Sequence, residues 1–205
     1  RIVNLNWENI HPPPSGAGKG SYLTAVTEVD NRIVEIIDVE KILSEVSPME
    51  EEISNDVIRQ DTVDQASASD LAVLIADDSS VARKQIKRCV EKVGVKTHVV
   101  ADGRQALDHL RELIDAGESI TDRYIMLISD IEMPEMDGYT LTASIKEDPR
   151  TQDLHILLHT SLSGIFNEAM VKRVGADNFL AKFKPDSLAD LVQERVKDAL
   201  AKRNG

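Results

Sequence analysis

The chain has 205 residues, of which 41% are apolar, a length that allows one large domain or an ordinary domain with a smaller neighbour. Its net charge of −12 argues against a nucleic-acid-binding surface, and its single cysteine, Cys89, excludes a disulfide framework. Because no apolar stretch reaches membrane-spanning length and no signal peptide opens the chain, we expect a cytoplasmic protein without direct membrane insertion.

The first 46 residues have the pattern of a small β segment. Residues 1–7 alternate apolar and polar, as a half-buried strand does, and the prolines and glycines of 11–20 predict a loop without regular structure. Two β-rich runs, 22–29 and 32–39, are separated by an Asp-Asn pair, which predicts a hairpin. A short helix is expected over 40–46.

Residues 47–70 are interpreted as an acidic linker. Residues 1–70 contain 14 acidic and 5 basic side chains, so most of the net negative charge lies before residue 71. Ile53, Val57 and Ile58 have helical spacing, which would suit a helix docked on one domain, but the composition favours a solvated tether.

From residue 71 to the end, strand and helix patterns alternate five times. This alternation predicts an α/β domain over 71–205, a doubly wound five-stranded parallel sheet preceded by the small, incomplete β segment. Cys89 is expected on the buried face of the first helix. The predicted strands are 71–76, 95–101, 124–129, 154–159 and 178–181, and the predicted helices are 79–93, 103–116, 138–147, 164–174 and 186–203.

Carboxylates follow two of these strands at the point where each strand ends. Strand 71–76 runs into Asp77 and Asp78, and strand 124–129 runs into Asp130. Three crowded acids repel one another unless a hard cation joins them, and an all-oxygen ligand set suits Mg²⁺. The alternative is that each acid caps the helix that follows it.

Two further strand ends supply a hydroxyl and an ammonium group. Strand 154–159 is followed by Thr160, and strand 178–181 is followed by Lys182. Together with the acids, these groups describe a site that holds a phosphoryl group on a carboxylate, with positive charge balancing the added negative charge.

Four motifs in order resemble the receiver domains of two-component signalling. They are Asp-Asp at 77–78, Asp-x-x-Met-Pro-x-Met-Asp-Gly at 130–138, Thr-Ser at 160–161 and Gly-Ala-Asp-x-Phe-x-x-Lys at 175–182. The resemblance covers about residues 71–203. It implies a flavodoxin-like fold with strand order 2-1-3-4-5, in which the first and third strands flank the ligand-binding crevice.

The same resemblance assigns roles to individual residues. Asp130 is the expected phosphoacceptor, Thr160 and Lys182 are expected to contact phosphoryl oxygens, and Phe179 occupies the position of a switch aromatic. Without the family, Phe179 would be interpreted as ordinary strand core. The expected Mg²⁺ ligands are Asp77, Asp78, Asp130 and the backbone carbonyl of Glu132.

The chain departs from the receiver pattern after the lysine. Receivers usually have proline directly after it, whereas Phe183 follows Lys182 here and the Lys-Pro pair is Lys184-Pro185. The spacing from Gly175 and the end of the apolar strand both favour Lys182 over Lys184 as the site lysine. The departure leaves open whether a cis proline occurs at Pro185.

Residues 1–46 resemble the last part of a CheW-like coupling domain of bacterial chemotaxis. The resemblance rests on Leu-Asn-Trp at 5–7, the prolines before a Gly-rich loop, Tyr-Leu-Thr at 22–24, and the run 34–43. We therefore expect a truncated coupling domain, because a complete one exceeds a hundred residues. The alternative is a small independent β module, which would lie near the lower size limit for folding.

A CheW-like segment joined to a receiver is the arrangement of the CheV family of chemotaxis coupling proteins. It implies a phosphorylation-regulated adaptor, not an enzyme, that accepts phosphate from a chemotaxis histidine kinase and contacts chemoreceptor tips. Autodephosphorylation would reset it. The alternative is a haloacid-dehalogenase-type phosphatase with an aspartyl-phosphate intermediate. That class predicts a second Asp two residues after the nucleophile, where this chain has Glu132.

Overall fold

The computed structural model describes residues 9–12, 22–29, 31–37, 42, 53–54, 56–160, 165–182 and 184–203, with backbone alone at 165–169. The chain forms two compact units, Arg1–Met49 and Glu50–Gly205. Within the described residues, no helix combines the length and the apolar character that crossing a membrane requires.

The first unit contains an antiparallel sheet with the strand order β1-β2-β3. Its strands are β1 (Ile10–His11), β2 (Leu23–Val29) and β3 (Arg32–Ile37). The predicted hairpin joins β2 to β3, and Asn31 in its turn has a φ of 55°, a left-handed conformation that Asn tolerates well.

His11 was expected in the irregular loop, but it pairs with Val26 in the sheet. The prediction for His11 was wrong because strand pairing with β2 outweighs the local effect of the prolines that follow. The predicted strand over 1–7 and most of the predicted helix over 40–46 lie outside the described residues.

The second unit contains a parallel sheet of five strands in the order β5-β4-β6-β7-β8, which confirms the predicted order 2-1-3-4-5. The strands are β4 (Ala72–Ala76), β5 (Lys96–Val100), β6 (Tyr124–Ser129), β7 (Ile156–Thr160) and β8 (Asn178–Ala181). The helices are α1 (Gln60–Ser67), α2 (Ser80–Lys92), α3 (Gly103–Asp115), α4 (Ile120–Arg123), α5 (Gly138–Glu147), α6 (Ile165–Val174) and α7 (Pro185–Arg203). The short helix α4 was not predicted.

Apolar side chains cover both faces of the parallel sheet, which is why its strands are nearly continuous apolar runs. Successive residues of a strand point to opposite faces. Val73 and Ile75 pack with α2 and α7, whereas Leu74 and Ala76 pack with α3 and α5. This two-sided burial fixes the register of β4 and β6, and with it the position of the residues that follow each strand.

The segment expected as a solvated tether packs against the α/β domain from Ile53 onwards. Ile53 is 4% exposed and belongs to the core cluster formed with α2 and α7. Arg59 forms an ion pair with Asp190, and its backbone N–H donates to Gln193 Oε1 at 2.7 Å. This segment is therefore docked on the α/β domain, which was the alternative to a solvated tether. Its helix, α1, begins only after Ile53, Val57 and Ile58, the three residues whose spacing suggested a helix.

Cys89 lies on the buried face of α2, as the apolar spacing predicted, and is 5% exposed. Burial raises the pKa of its thiol to about 12, and the nearby carboxylate of Asp186 contributes in the same direction. The thiol therefore carries almost no thiolate at neutral pH.

We predict that iodoacetamide leaves the native protein unmodified at pH 7.5 and alkylates one site per chain after unfolding in urea. Intact mass spectrometry measures both states, and the single cysteine makes the assignment unambiguous. Rapid alkylation of the native chain would contradict the described burial.

Candidate functional site

Three carboxylates meet at the carboxyl ends of β4 and β6. Ala76 and Ser129 are register partners at the ends of these strands, and the N–H of Asp130 donates to the carbonyl of Ala76 at 2.8 Å. Asp77 and Asp130 are therefore brought side by side. One ligand oxygen each from Asp77, Asp78 and Asp130 lies within 4.8 Å of the others, with Asp78 exposed and the other two buried.

Lys182 places a cation against two of these acids. Its Nζ lies 2.9 Å from Asp130 Oδ2 and 3.0 Å from Asp77 Oδ2, and its side chain is 1% exposed. Lys184 is exposed instead. The structure thus brings Lys182 into the cluster as the sequence favoured, and the Lys184-Pro185 peptide bond is trans.

The four side chains do not balance one another in charge, because three carboxyl groups lie around one ammonium group. Asp77 Oδ1 accepts a hydrogen bond from the Ser79 N–H at 2.8 Å, whereas its buried Oδ2 has the Lys182 ion pair but no hydrogen bond of ordinary geometry. An under-coordinated carboxylate oxygen among clustered acids suits a divalent cation with oxygen ligands. The donor set therefore fits Mg²⁺.

Burial raises the pKa of Asp77 to about 7, and repulsion from Asp130 adds to this effect. The Lys182 ammonium and the Ser79 N–H act in the opposite direction but do not offset burial. Neighbouring His159 is also buried. Burial, followed by the Lys182 charge, lowers its pKa to about 3, so His159 is neutral and adds no charge.

The acids are not the caps of the following helices, which was the alternative interpretation. Ser79 is the N-cap of α2, and its side chain accepts from the Ala82 N–H. Asp137 is the N-cap of α5, where its carboxylate accepts from the Thr140 N–H at 2.8 Å. Asp77 accepts the turn hydrogen bond from the Ser79 N–H, so helix capping does not explain why the three acids converge.

Thr160, Phe179 and Glu132 surround this cluster. Thr160 is fully buried at the end of β7, and its carbonyl accepts from the Lys182 N–H at 2.8 Å. Phe179 is the register partner of Leu158 and packs with Ile131 and Val171, on the sheet face that Thr160 shares. The Glu132 side chain is exposed in the loop after Asp130.

Two glycines hold this loop, a role that the sequence analysis gave to neither of them. A Cβ on Gly138 would overlap the carbonyl oxygen of Asp130, and a Cβ on Gly103 would lie 2.5 Å from the carbonyl of Met136. The Gly138 N–H also donates to the carbonyl of Ile131 at 2.9 Å. The sequence signal for this close packing was that each glycine is the first residue of a helix, a position at which larger side chains are normally tolerated.

Arg83 also contributes to the site, although no sequence pattern indicated it. From the first turn of α2, its Nη1 donates to the backbone carbonyl of Asp77 at 2.5 Å. This contact fixes the backbone between β4 and α2, which carries two of the three acids.

Comparison with known proteins gives the family of this site. The family model described as the response regulator receiver domain matches residues 73–193. The chain belongs to the response regulator receiver family. A second model, the CheW-like domain, matches residues 1–47, which confirms that the chain combines receiver and CheW-like sequences.

Individual proteins agree with both matches. The chain is 30% identical over 198 residues to chemotaxis protein CheV1 of Helicobacter pylori, covering 95% of this chain but 59% of CheV1. Chemotaxis response regulator CheY4 of Vibrio cholerae superposes on the receiver with a TM-score of 0.53 at 27% identity, over 61% of this chain and 98% of that protein.

The receiver domain of sensor histidine kinase PA1611 from Pseudomonas aeruginosa superposes with a TM-score of 0.53, covering 62% of this chain and 97% of its own. At 24% identity this likeness establishes the fold. That structure has a magnesium ion coordinated in its active site cleft.

We predict that Asp77→Asn stabilises the protein without divalent cations, by more than about 1 kcal/mol at pH 8. The native carboxyl retains its proton up to about pH 7, whereas the unfolded chain releases it near pH 4. Native protein then binds more protons than unfolded protein between these values, so wild-type stability falls as the pH rises. The gain from Asp77→Asn therefore grows between pH 4 and 7 and is constant above.

Urea unfolding of both variants in EDTA at pH 4, 6 and 8 measures this difference. Asp78→Asn is the matched control. It is expected to give a smaller gain in unfolding free energy, because the exposed Asp78 side chain loses less hydration on folding. An equal gain in unfolding free energy from Asp77→Asn at pH 4 and pH 8 would contradict the raised pKa of Asp77.

Proposed function

We propose that the chain is a phosphorylation-regulated chemotaxis adaptor whose receiver domain accepts a phosphoryl group on Asp130. The observation that carries this proposal is the position of the Asp130 carboxylate, which lies at a strand end between a buried lysine and two further acids. The phosphodonor would be a histidine kinase. Its phosphohistidine P–N bond breaks as an Asp130 oxygen forms the new P–O bond.

Lys182 is the residue best placed to balance charge during this transfer. Its Nζ is 2.9 Å from Asp130 Oδ2, and its buried position strengthens the attraction to an incoming phosphoryl oxygen. The Ile131 N–H donates to Asp130 Oδ1 at 2.7 Å and orients the carboxylate. The ammonium and the N–H together hold Asp130 in one orientation before a donor arrives.

The residues that would hold Mg²⁺ are Asp77, Asp78, Asp130 and the backbone carbonyl of Glu132. The first three fit because their oxygens converge within 4.8 Å and carry excess negative charge. When bound, the ion supplies positive charge to the transferring phosphoryl oxygens. Asp77 and Asp78 would hold the ion beside Asp130, and Lys182 would pair with a phosphoryl oxygen.

Thr160 and Phe179 are proposed as the switch. Thr160 would donate its hydroxyl to a phosphoryl oxygen, and the space that it leaves would admit the Phe179 ring. Their common sheet face supports this coupling, as does the packing of Phe179 against the cluster that contains Ile131, the residue directly after Asp130. Hydrolysis of the acyl phosphate would reset the site.

The CheW-like match supports a role between chemoreceptors and a chemotaxis histidine kinase. CheV1 is named as a chemotaxis protein, and the chain spans about three fifths of its length. Receptor tips and the kinase are therefore the proposed partners. The phosphatase alternative is not proposed, because the receiver family model matches most of the chain and no observation favours the other class.

We predict that a small phosphodonor with Mg²⁺ adds one phosphoryl group to the wild-type chain and none to Asp130→Asn. The amide retains the shape of Asp130 but cannot act as the nucleophile. Intact mass spectrometry measures the gain, with EDTA as the metal-free comparison. Asp137→Asn is the matched control, since Asp137 lies in the same loop but caps α5. Continuous phosphate release that does not depend on Asp130 would contradict the proposal.

A further inference from the structure

The start of the docked linker is tied to the first turn of α7. The Ser54 N–H donates to Asp186 Oδ1 and the Ser54 hydroxyl donates to Asp186 Oδ2, both at 2.8 Å. Both carboxylate oxygens of Asp186 are therefore engaged by one linker residue. These hydrogen bonds lower the pKa of Asp186, so the carboxylate that accepts them is ionised at neutral pH. We call this pair the Ser54 clamp.

The linker side of the clamp is also anchored on α2. Lys92, at the end of α2, donates from Nζ to the Ile53 carbonyl at 3.0 Å. The Ile53 side chain is 4% exposed in the core cluster that includes Ile86 and Val90 of α2. Ser54 is therefore tied to α2 through Ile53, whose core cluster also includes residues of α7.

The other side of the clamp is joined to the phosphorylation site through a very short stretch of chain. Two residues separate Lys182 from Pro185, the first residue of α7, and Asp186 follows directly. The Lys184 carbonyl accepts from the Leu188 N–H at 3.0 Å, so the helix holds the end of this connection. Only two residues are therefore available to absorb a displacement of the Lys182 backbone before it reaches α7 and Asp186.

We infer that Ser54 is a positioning residue for the phosphorylation site, acting on Lys182 through Asp186. This inference rests on the proposed function. The Ser54 clamp is formed in the state in which Lys182 pairs with the carboxylates of Asp77 and Asp130. A phosphoryl group on Asp130 places its oxygens beyond that carboxylate. Lys182 and the residues that follow it then shift while Ile53 and Ser54 stay with α2, so phosphorylation weakens the clamp.

Coupling of this kind is reciprocal. If the phosphorylated state weakens the clamp, then loss of the clamp favours the phosphorylated state to the same degree. The linker that leads to the CheW-like segment would thereby sense the state of Asp130, and it would also set how readily Asp130 is modified.

The test measures the affinity of the full chain for beryllofluoride, a phosphoryl analogue, with Mg²⁺ by isothermal titration calorimetry. Ser54→Ala is expected to bind at least about threefold more tightly than wild type, and Ser54→Thr, which keeps the hydroxyl, is expected to restore the wild-type affinity. Arg59→Ala is the matched control. It removes a linker contact to Asp190, which lies one turn further along α7 than Asp186 and so farther along the chain from Lys182, and is expected to leave the affinity within twofold.

Hydrogen exchange supplies the reciprocal measurement. Beryllofluoride is expected to increase exchange in peptides that contain Ser54, and to leave peptides from α1 unchanged. Equal affinity of Ser54→Ala and wild type would overturn the inference, as would equal effects of Ser54→Ala and Arg59→Ala. Failure of wild type itself to bind beryllofluoride would instead refute the proposed function, and with it the inference.

Discussion

The arrangement of the receiver depends on the repulsion among three carboxylates that one buried ammonium group only partly balances. Asp77, Asp78 and Asp130 converge at two adjacent strand ends, and Lys182 pairs with two of them. Burial strengthens both the attraction and the repulsion, since little water screens these charges. Burial is the main reason that the pKa of Asp77 is raised, and repulsion from Asp130 adds to it, while the Lys182 ammonium acts in the opposite direction.

The surrounding fold keeps the acids together against this repulsion. Apolar side chains on both faces of β4 and β6 fix the strand register. Asp77 and Asp130 therefore cannot move apart through a shift of either strand. Arg83 fixes the backbone after β4, and Gly138 allows α5 to approach the backbone of Asp130 closely. The packed core therefore holds the three acids close together despite their mutual repulsion.

Sequence patterns predicted the residues whose positions follow from strand geometry. Asp77, Asp130 and Lys182 each follow a continuous apolar run, and parallel strands present their carboxyl ends at one edge of a sheet. The patterns did not predict contacts between elements distant in the chain. The close approach at Gly138 depends on how α5 packs, and Ile53 is buried by tertiary contacts outside any helix. His11 was misassigned for the same reason, because its partner lies in β2.

The most direct test of this account is the effect of Mg²⁺ on the unfolding free energy at pH 8, compared with NaCl at matched ionic strength. Simple screening acts equally in both salts, whereas specific binding stabilises the native state further as the ion concentration rises. The account predicts that Mg²⁺ stabilises wild type well beyond NaCl, and that Asp130→Asn loses most of the difference. Equal stabilisation by the two salts would contradict the central role given to the carboxylate cluster.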